Sequence, residues 1–365
     1  QKSLEAIKEA QSLAIEYQIM QIDTPHLAYA LLNQPDGLIP QLLAKLNVDP
    51  AAVAQSMRSV IEKLPKVELH IHLEGTVQLE LIQELAEKTQ TPLPKPADEL
   101  FSFTGLADFL DRLDWICSLV RNPEDVKRLA YDYARYAASQ NIMYAEVITN
   151  PTHWKALSYQ QLIPGILEGF DQAYEDGYTD CRLLVSLLRS QTKQESLALV
   201  RWMTAHRHPR LMGLSVDGNE AVSKQSNRVL CDAFLEAKHA GFAITVHAGE
   251  SSPAEGVWEA LDILGAMRID HGVRSITDPV LLRRLADERI PLNITPTSNL
   301  MELYPSLEEH PLGKLYELGI PVTVSTDDPM LMRIDLCTEL VKAANAFRWG
   351  ASDLIRLQEN ALPLL

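Results

Sequence analysis

The sequence is poor in the features that mark several large classes of protein. Its four cysteines, Cys117, Cys181, Cys231 and Cys337, are scattered with no C-x-x-C spacing. That argues against a disulfide framework and against a cysteine zinc site, and fits a reducing cytosol. No apolar run approaches the roughly 18–20 residues needed to span a bilayer. The first residues, QKSLEAIKEAQ, are amphipathic and lack the apolar centre of a secretory signal, so a cytoplasmic protein is expected. Basic residues are in deficit: 33 Lys and Arg face 49 Asp and Glu, a formal net charge of -16. Such a field repels nucleic-acid phosphates and anionic membranes, which leaves a small neutral or cationic substrate as the expected partner.

What is present suffices for a large core. Of 365 residues, 46% are hydrophobic and 22% charged, an ordinary globular balance. Residues 1–64 read as helical throughout. Leu4, Ile7, Ala10, Leu13 and Ala14 recur at helical spacing, and Thr24-Pro25 supplies a cap with proline at the first helical position. Pro35-Asp36-Gly37 makes a turn before short helices over 40–46 and 50–62.

From Pro65 onward the texture changes to β-rich runs alternating with amphipathic stretches. Strands are expected over residues 67–71, 143–148, 181–187, 211–216, 242–246, 268–270, 290–294 and 320–325. Helices are expected over 79–89, 123–140, 159–176, 193–206, 226–240, 254–265, 278–288 and 311–318. That count and alternation predict an α/β fold, a (β/α)8 TIM barrel over residues 65–365, preceded by a small all-helical segment over 1–64. An insertion from Thr91 to about Asn122, with Phe101, Phe103 and Trp115, reads either as a lid over the barrel mouth or as an ordinary helical excursion.

The polar residues at the expected strand ends carry the chemistry. His70 and His72 stand two apart on one strand and so share a face. The pair alone is a weak signal. The fifth strand, however, ends in His247-Ala248-Gly249-Glu250, the sixth in Asp270-His271-Gly272 and the eighth in Thr326-Asp327-Asp328-Pro329. Barrel active sites gather residues from several strands at their carboxyl ends, so these four ends together predict one site. Imidazoles with one carboxylate and no thiolate suit zinc with an open position for water; iron or manganese would accept similar ligands. Such an ion lowers the pKa of water toward roughly 7 and so provides a nucleophile at neutral pH. Glu250, His271 and Asp328 are left over for acid–base work.

These residues resemble the adenosine deaminase family from Leu64 to about Leu362. The likeness rests on the run Pro65 to Gly75, on Val216-Asp217-Gly218-Asn219-Glu220, His247-Ala248-Gly249-Glu250, Asp270-His271-Gly272, Thr297-Ser298-Asn299 and Ser325-Thr326-Asp327-Asp328-Pro329. The resemblance implies one Zn2+ per chain, held by His70, His72, His247 and Asp327. It implies that Glu250 protonates N1 of a purine as hydroxide attacks C6, with His271 as general base and electrostatic support. Asp328 would contact the water and N7, the Gly218 N–H would meet N3, and His72 and Glu74 would also line the substrate pocket. Ammonia leaves and a 6-oxopurine remains. Adenosine-specific members of the family usually carry aspartate where Glu74 stands, whereas relatives acting on adenine or aminofutalosine also carry glutamate. The Asp217–Glu220 segment keeps the glycine of nucleoside deaminases. The expected substrate is therefore adenosine or 2′-deoxyadenosine, with adenine or aminofutalosine as the alternative and a non-catalytic adaptor barrel as the reading of another class.

The N-terminal piece resembles one repeat of the N-terminal domain of Clp-type chaperone ATPases. The likeness lies in Glu5 to Gln11, Thr24 to Leu32 and Leu38 to Leu46. No G-x-x-x-x-G-K-[ST] motif follows, so a peptide or adaptor contact, or a plain helical cap, is expected of residues 1–64. Nucleic-acid deaminases of the H-x-E…P-C-x-x-C type are disfavoured by the absence of that signature and by the negative charge. His206 and His208 read as solvated loop residues, and His153, His239 and His310 have no partner in the motif set. Trp154, Trp202, Trp258 and Trp349 read as packing residues.

Overall fold

The computed structural model describes residues 58–361 apart from Glu302. The helices expected before residue 58 lie outside the described residues; the tail of the last of them is present, helical over 58–63.

Eight strands run in chain order as one parallel sheet: β1 (Lys66–His72), β2 (Ile142–Thr149), β3 (Asp180–Leu188), β4 (Leu211–Asp217), β5 (Ala243–Ala248), β6 (Arg268–His271), β7 (Leu292–Ile294) and β8 (Val322–Val324). Each pairs in parallel with the next. The (β/α)8 barrel predicted from the alternation is the observed fold, and among the described residues no helix is long and apolar enough to cross a membrane. The helices start where local chemistry satisfies their first N–H groups. Asn122 accepts from Asp125 N ahead of Pro123–Ser139, Thr192 and Glu195 form a capping box for Lys193–Ala205, and Asp278 caps Pro279–Asp287.

Strand alternation divides β1 into two faces. Val67, Leu69 and Ile71 face the surrounding helices, where Leu69 and Ile71 are fully buried. Lys66, Glu68, His70 and His72 face the barrel interior. That interior is polar: Arg268 pairs with Glu146, and a hydrogen-bonded row runs from Thr323 Oγ1 to Asn293 Oδ1 at 2.8 Å and from Asn293 Nδ2 to Asp270 Oδ1 at 2.9 Å. At the floor, Lys66 is completely buried and its Nζ donates to the carbonyls of Ile61 at 2.9 Å and Leu64 at 2.8 Å. The barrel is thereby tied to the end of the helix that precedes it.

Closure differs from the other seven joints. Among the described residues β8 and β1 share only an isolated parallel bridge, Ile71 with Asp327. His72 N donates to Asp327 O at 2.8 Å, while Ser325 Oγ accepts from His70 N at 3.2 Å, and Glu68 Oε1 accepts from Thr326 N at 2.9 Å and Thr326 Oγ1 at 2.7 Å. Side chains here do the work of a ladder. The insertion forms the helix Leu106–Leu119, which buries Phe109, Leu113, Ile116 and Cys117 and packs against the short 3-10 turn Leu73–Thr76.

Candidate active site

The histidines and the carboxylate predicted as ligands meet at the carboxyl ends of β1, β5 and β8. His72 Nε2 lies 3.0 Å from His247 Nε2. Asp327 Oδ1 lies 3.2 Å from His70 Nε2 and 3.4 Å from His72 Nε2. One imidazole can donate to the other in one tautomer; with both Nε2 atoms bare, two lone pairs converge instead. A cation between them removes the conflict, and bonds of roughly 2.0–2.1 Å in tetrahedral geometry place ligand atoms about 3.3 Å apart, close to the separations seen here. Two donor groups share His70: His70 with His72 and His247, and His70 with His271 and Asp327. The residues present therefore fit a metal ion.

Asp270, quoted in the sequence only as a neighbour of His271, supports this cluster. Its Oδ1 lies 3.3 Å from His70 Nδ1 and its Oδ2 3.6 Å from His247 Nδ1, while Thr245 Oγ1 donates to Oδ2 at 2.6 Å. A carboxylate on the outer nitrogen fixes the imidazole so that the inner nitrogen is free to ligate. Against the cost of burial, Asp270 and Asp327 hold the His70 proton affinity up, to about 10. Burial, and then the positive charge on His70, push His247 well down and His271 to about 3. Backbone shape aims two of its members: His271 and Asp327 have φ of 65° and 66°, in the left-handed region that non-glycine residues rarely occupy.

Glu250 follows β5. Its Oε1 accepts from Asn299 Nδ2 at 3.1 Å and lies 3.5 Å from His271 Nδ1. Burial, then Asp327 and Glu220, push its carboxyl up to about 8. Glu220 Oε2 in turn accepts from Ser252 N at 2.6 Å, which pins the loop that carries Glu250.

Glu74 is buried, and its Oε1 accepts from Thr149 Oγ1 at 2.8 Å, Asn150 N at 2.8 Å and Trp154 Nε1 at 2.9 Å. Its Oε2 has no hydrogen-bond partner. Trp154, read in the sequence as a packing residue, is therefore also a polar anchor, in the loop after β2 rather than beside a helix. Asp328 is buried with Oδ1 unpartnered, and burial together with Asp327 and Glu74 holds its carboxyl well above the usual range. Gly75 leaves it room, for a Cβ there would lie 2.1 Å from Asp328 Oδ1. Gly218, at φ 94°, follows Asp217, whose Oδ1 accepts from Asn150 Nδ2, so the β4 end is joined to the Glu74 wall. His206 is exposed and stacked on Trp202 as expected of a surface residue. His310, read as partnerless, is buried with its Nε2 3.2 Å from Asn299 Oδ1.

A parallel eight-stranded barrel with a histidine-rich candidate metal site and a glutamate at the strand ends is the arrangement of a hydrolase of the amidohydrolase type. The family model described as adenosine deaminase matches residues 65–363, and the chain belongs to that family. Its members are hydrolases acting on cyclic amidine C–N bonds of purines. A second model, the Clp repeat N-terminal domain, matches residues 1–93, running past the helical piece into β1 and the helix Leu79–Thr89. The chain is 36% identical over 286 residues to an adenine deaminase of Cupriavidus necator, covering 76% of this chain and 80% of the relative. It is 32% identical to an adenosine deaminase of Shewanella loihica, covering 82% and 94%. Among solved structures, a zinc-bound amidohydrolase from B. ambifaria superposes with a TM-score of 0.77 at 30% identity, covering 84% of this chain and 86% of that one. An adenine deaminase from Arthrobacter aurescens does so at 0.70 and 27%, covering 82% and 99%.

Proposed function

We propose that this purine deaminase acts on free adenine, with one zinc ion per chain held by His70, His72, His247 and Asp327. The observation that carries the reading is the Glu74 wall. Three protein donors occupy one oxygen of that buried carboxylate and leave the other as a lone acceptor. An unsubstituted purine offers an imidazole N–H to such an acceptor, and a buried acceptor without a donor is costly. A nucleoside has no hydrogen at N9 and would have to meet this oxygen through a sugar hydroxyl instead. The adenine deaminases of Cupriavidus and Arthrobacter support the base over the nucleoside that the Gly218 segment favoured.

The ion, when bound, would supply a water activated for attack at neutral pH. Glu250, protonated near neutrality, donates to N1 as C6 becomes tetrahedral; the carboxylate it becomes takes a proton from the water, passes it to the departing amine, and regains its own from the C6 hydroxyl as the 6-oxo group forms. Asp328, whose carboxyl burial, Asp327 and Glu74 shift upward, donates to N7 in its protonated form. His271 stays uncharged and orients the nucleophile, and the Gly218 N–H meets N3. Residues 1–64 serve as a contact surface for peptides or an adaptor, a reading supported by the match of the Clp repeat N-terminal domain over residues 1–93.

Ammonia release from adenine, adenosine, 2′-deoxyadenosine and aminofutalosine tests the reading. A kcat/KM for adenine at least about tenfold above the nucleosides supports it, since a lost polar match in a buried site is worth that much or more. A preference for adenosine would reverse the substrate assignment. Inactivity on all four with zinc bound would overturn the catalytic reading.

A further inference from the structure

The hydrogen bonds behind Glu250 do not stop at Asn299. We infer that His310 is a positioning residue for Glu250 and acts through Asn299, which rests on the deaminase reading of the site. His310 lies between the short helices Pro296–Leu300 and Leu312–Glu317 and is 3% exposed. Its Nδ1 accepts the backbone N–H of Leu312 at 3.1 Å. A neutral imidazole has a single N–H, so the proton must sit on Nε2. That nitrogen lies 3.2 Å from Asn299 Oδ1. Burial keeps the ring pKa down at about 4, so the one-donor form persists across neutral pH. The Tyr304 ring, edge-on at 4.9 Å, holds the imidazole plane.

This donor decides which way the Asn299 amide points. With its oxygen on His310, the amide can present only hydrogens to the active site. Asn299 Nδ2 is 3.1 Å from Glu250 Oε1 and 3.2 Å from His271 Nδ1. Flipped, the same amide would set its oxygen against the Glu250 carboxyl. Two consequences follow for the acid. Glu250 Oε1 is reserved as an acceptor, so the proton of its neutral form resides on Oε2. The same amide hydrogens make His271 Nδ1 an acceptor, so His271 carries its own proton on the other nitrogen. A histidine 39 positions before this one in the chain, His271, touches the chemistry directly; His310 governs its tautomer from outside.

The test uses the intact chain, loaded with zinc, and whichever 6-aminopurine the wild type deaminates fastest. His310→Phe should lower kcat about tenfold with KM within about twofold, because orientation of a general acid affects the chemical step rather than binding. His310→Gln, whose amide reaches the Nε2 position, should recover most of the loss. In an Asn299→Ala background, His310→Phe should cost nothing further, since both changes break one path. Additive losses in the double variant, or a Phe variant with wild-type kcat, would overturn the inference. If the wild type deaminates no aminopurine, the functional reading has failed and the relay is still tested by nitrogen NMR. A protonated Nε2 and a bare Nδ1 at His310 support it, and the opposite tautomer or a charged ring refutes it.

Discussion

Glu220 Oε2 accepts the backbone N–H of Glu250 at 3.1 Å, so a buried acid holds the main chain of a partly exposed one. The contact has a mechanical side and an electrostatic side. It fixes the turn after β5, and it sets a second acidic group close enough to discourage ionisation of Glu250. A carboxylic acid that must deliver a proton near neutral pH needs such surroundings.

Glu250→Gln should retain zinc and lose at least about a hundredfold in kcat, the usual weight of a general acid. Elemental analysis beside ammonia-release kinetics separates the two effects. A variant with full turnover would remove Glu250 from the acid role.

The alkaline limb of the rate should belong to Glu250. The acid is active when protonated, and with its carboxyl at about 8 the rate should hold below that pH and fall as pH rises through it. Glu220→Gln removes a neighbouring charge that raises this value, so the limb should move to lower pH. A pH–kcat/KM profile of both proteins decides the matter, and an unmoved limb would break the link.

Removal of the metal should abolish deamination and soften the fold. A ligand at about a hundred times its dissociation constant stabilises by about 2.7 kcal/mol. For a chain of this size that corresponds to a Tm rise of roughly 3–4 °C. Chelation followed by calorimetry, with zinc returned at one equivalent, measures both changes. Full activity in metal-free protein would sink the mechanism.

Glu339 should make stability fall as pH rises. Its side chain is fully buried, Oε1 accepts Thr297 N at 2.8 Å, and burial pushes its carboxyl up to about 7. The folded state therefore binds this proton more tightly than the unfolded state. The stabilisation is complete below about pH 4.5 and is lost by about pH 7. Glu339→Gln keeps the acceptor without the ionisation, so above pH 7 it should exceed wild type by up to about 3 kcal/mol. Urea midpoints at pH 5 and pH 8 supply the comparison.

The barrel was readable because buried parallel strands and amphipathic helices have different periods, and each expected strand has its counterpart. The edges shifted for a physical reason. Strands β1, β5 and β6 run on through His72, Ala248 and His271, since polar site residues still join the ladder. Strands β7 and β8 begin only at Leu292 and Val322, after prolines that cannot donate to it. The motif residues were legible at the strand ends, where position alone indicates function. Asp270 and His310 were not. Each acts on a neighbour brought close only by the fold, and His310 sits in a loop with no period to place it. Trp154 packs in the core as expected, but its second role was not legible, because its N–H partner, Glu74, lies beyond another strand's end.

The seam between β8 and β1 has a consequence for how this molecule assembles. Its first and last strands are separated by some 250 residues of chain, as the contact of Glu68 with Thr326 shows. Pairing so distant is formed late, after the local units have condensed. The groups that stitch it, Glu68, Ser325 and Asp327, lie among or beside the ligands. The barrel therefore cannot close without bringing those ligands together. Closing the seam also brings the ligands of β1 to the ligand that follows β8. A bound ion would work as the clasp, slowing the reopening of the seam and protecting the amides of His70 and His72 from exchange with solvent.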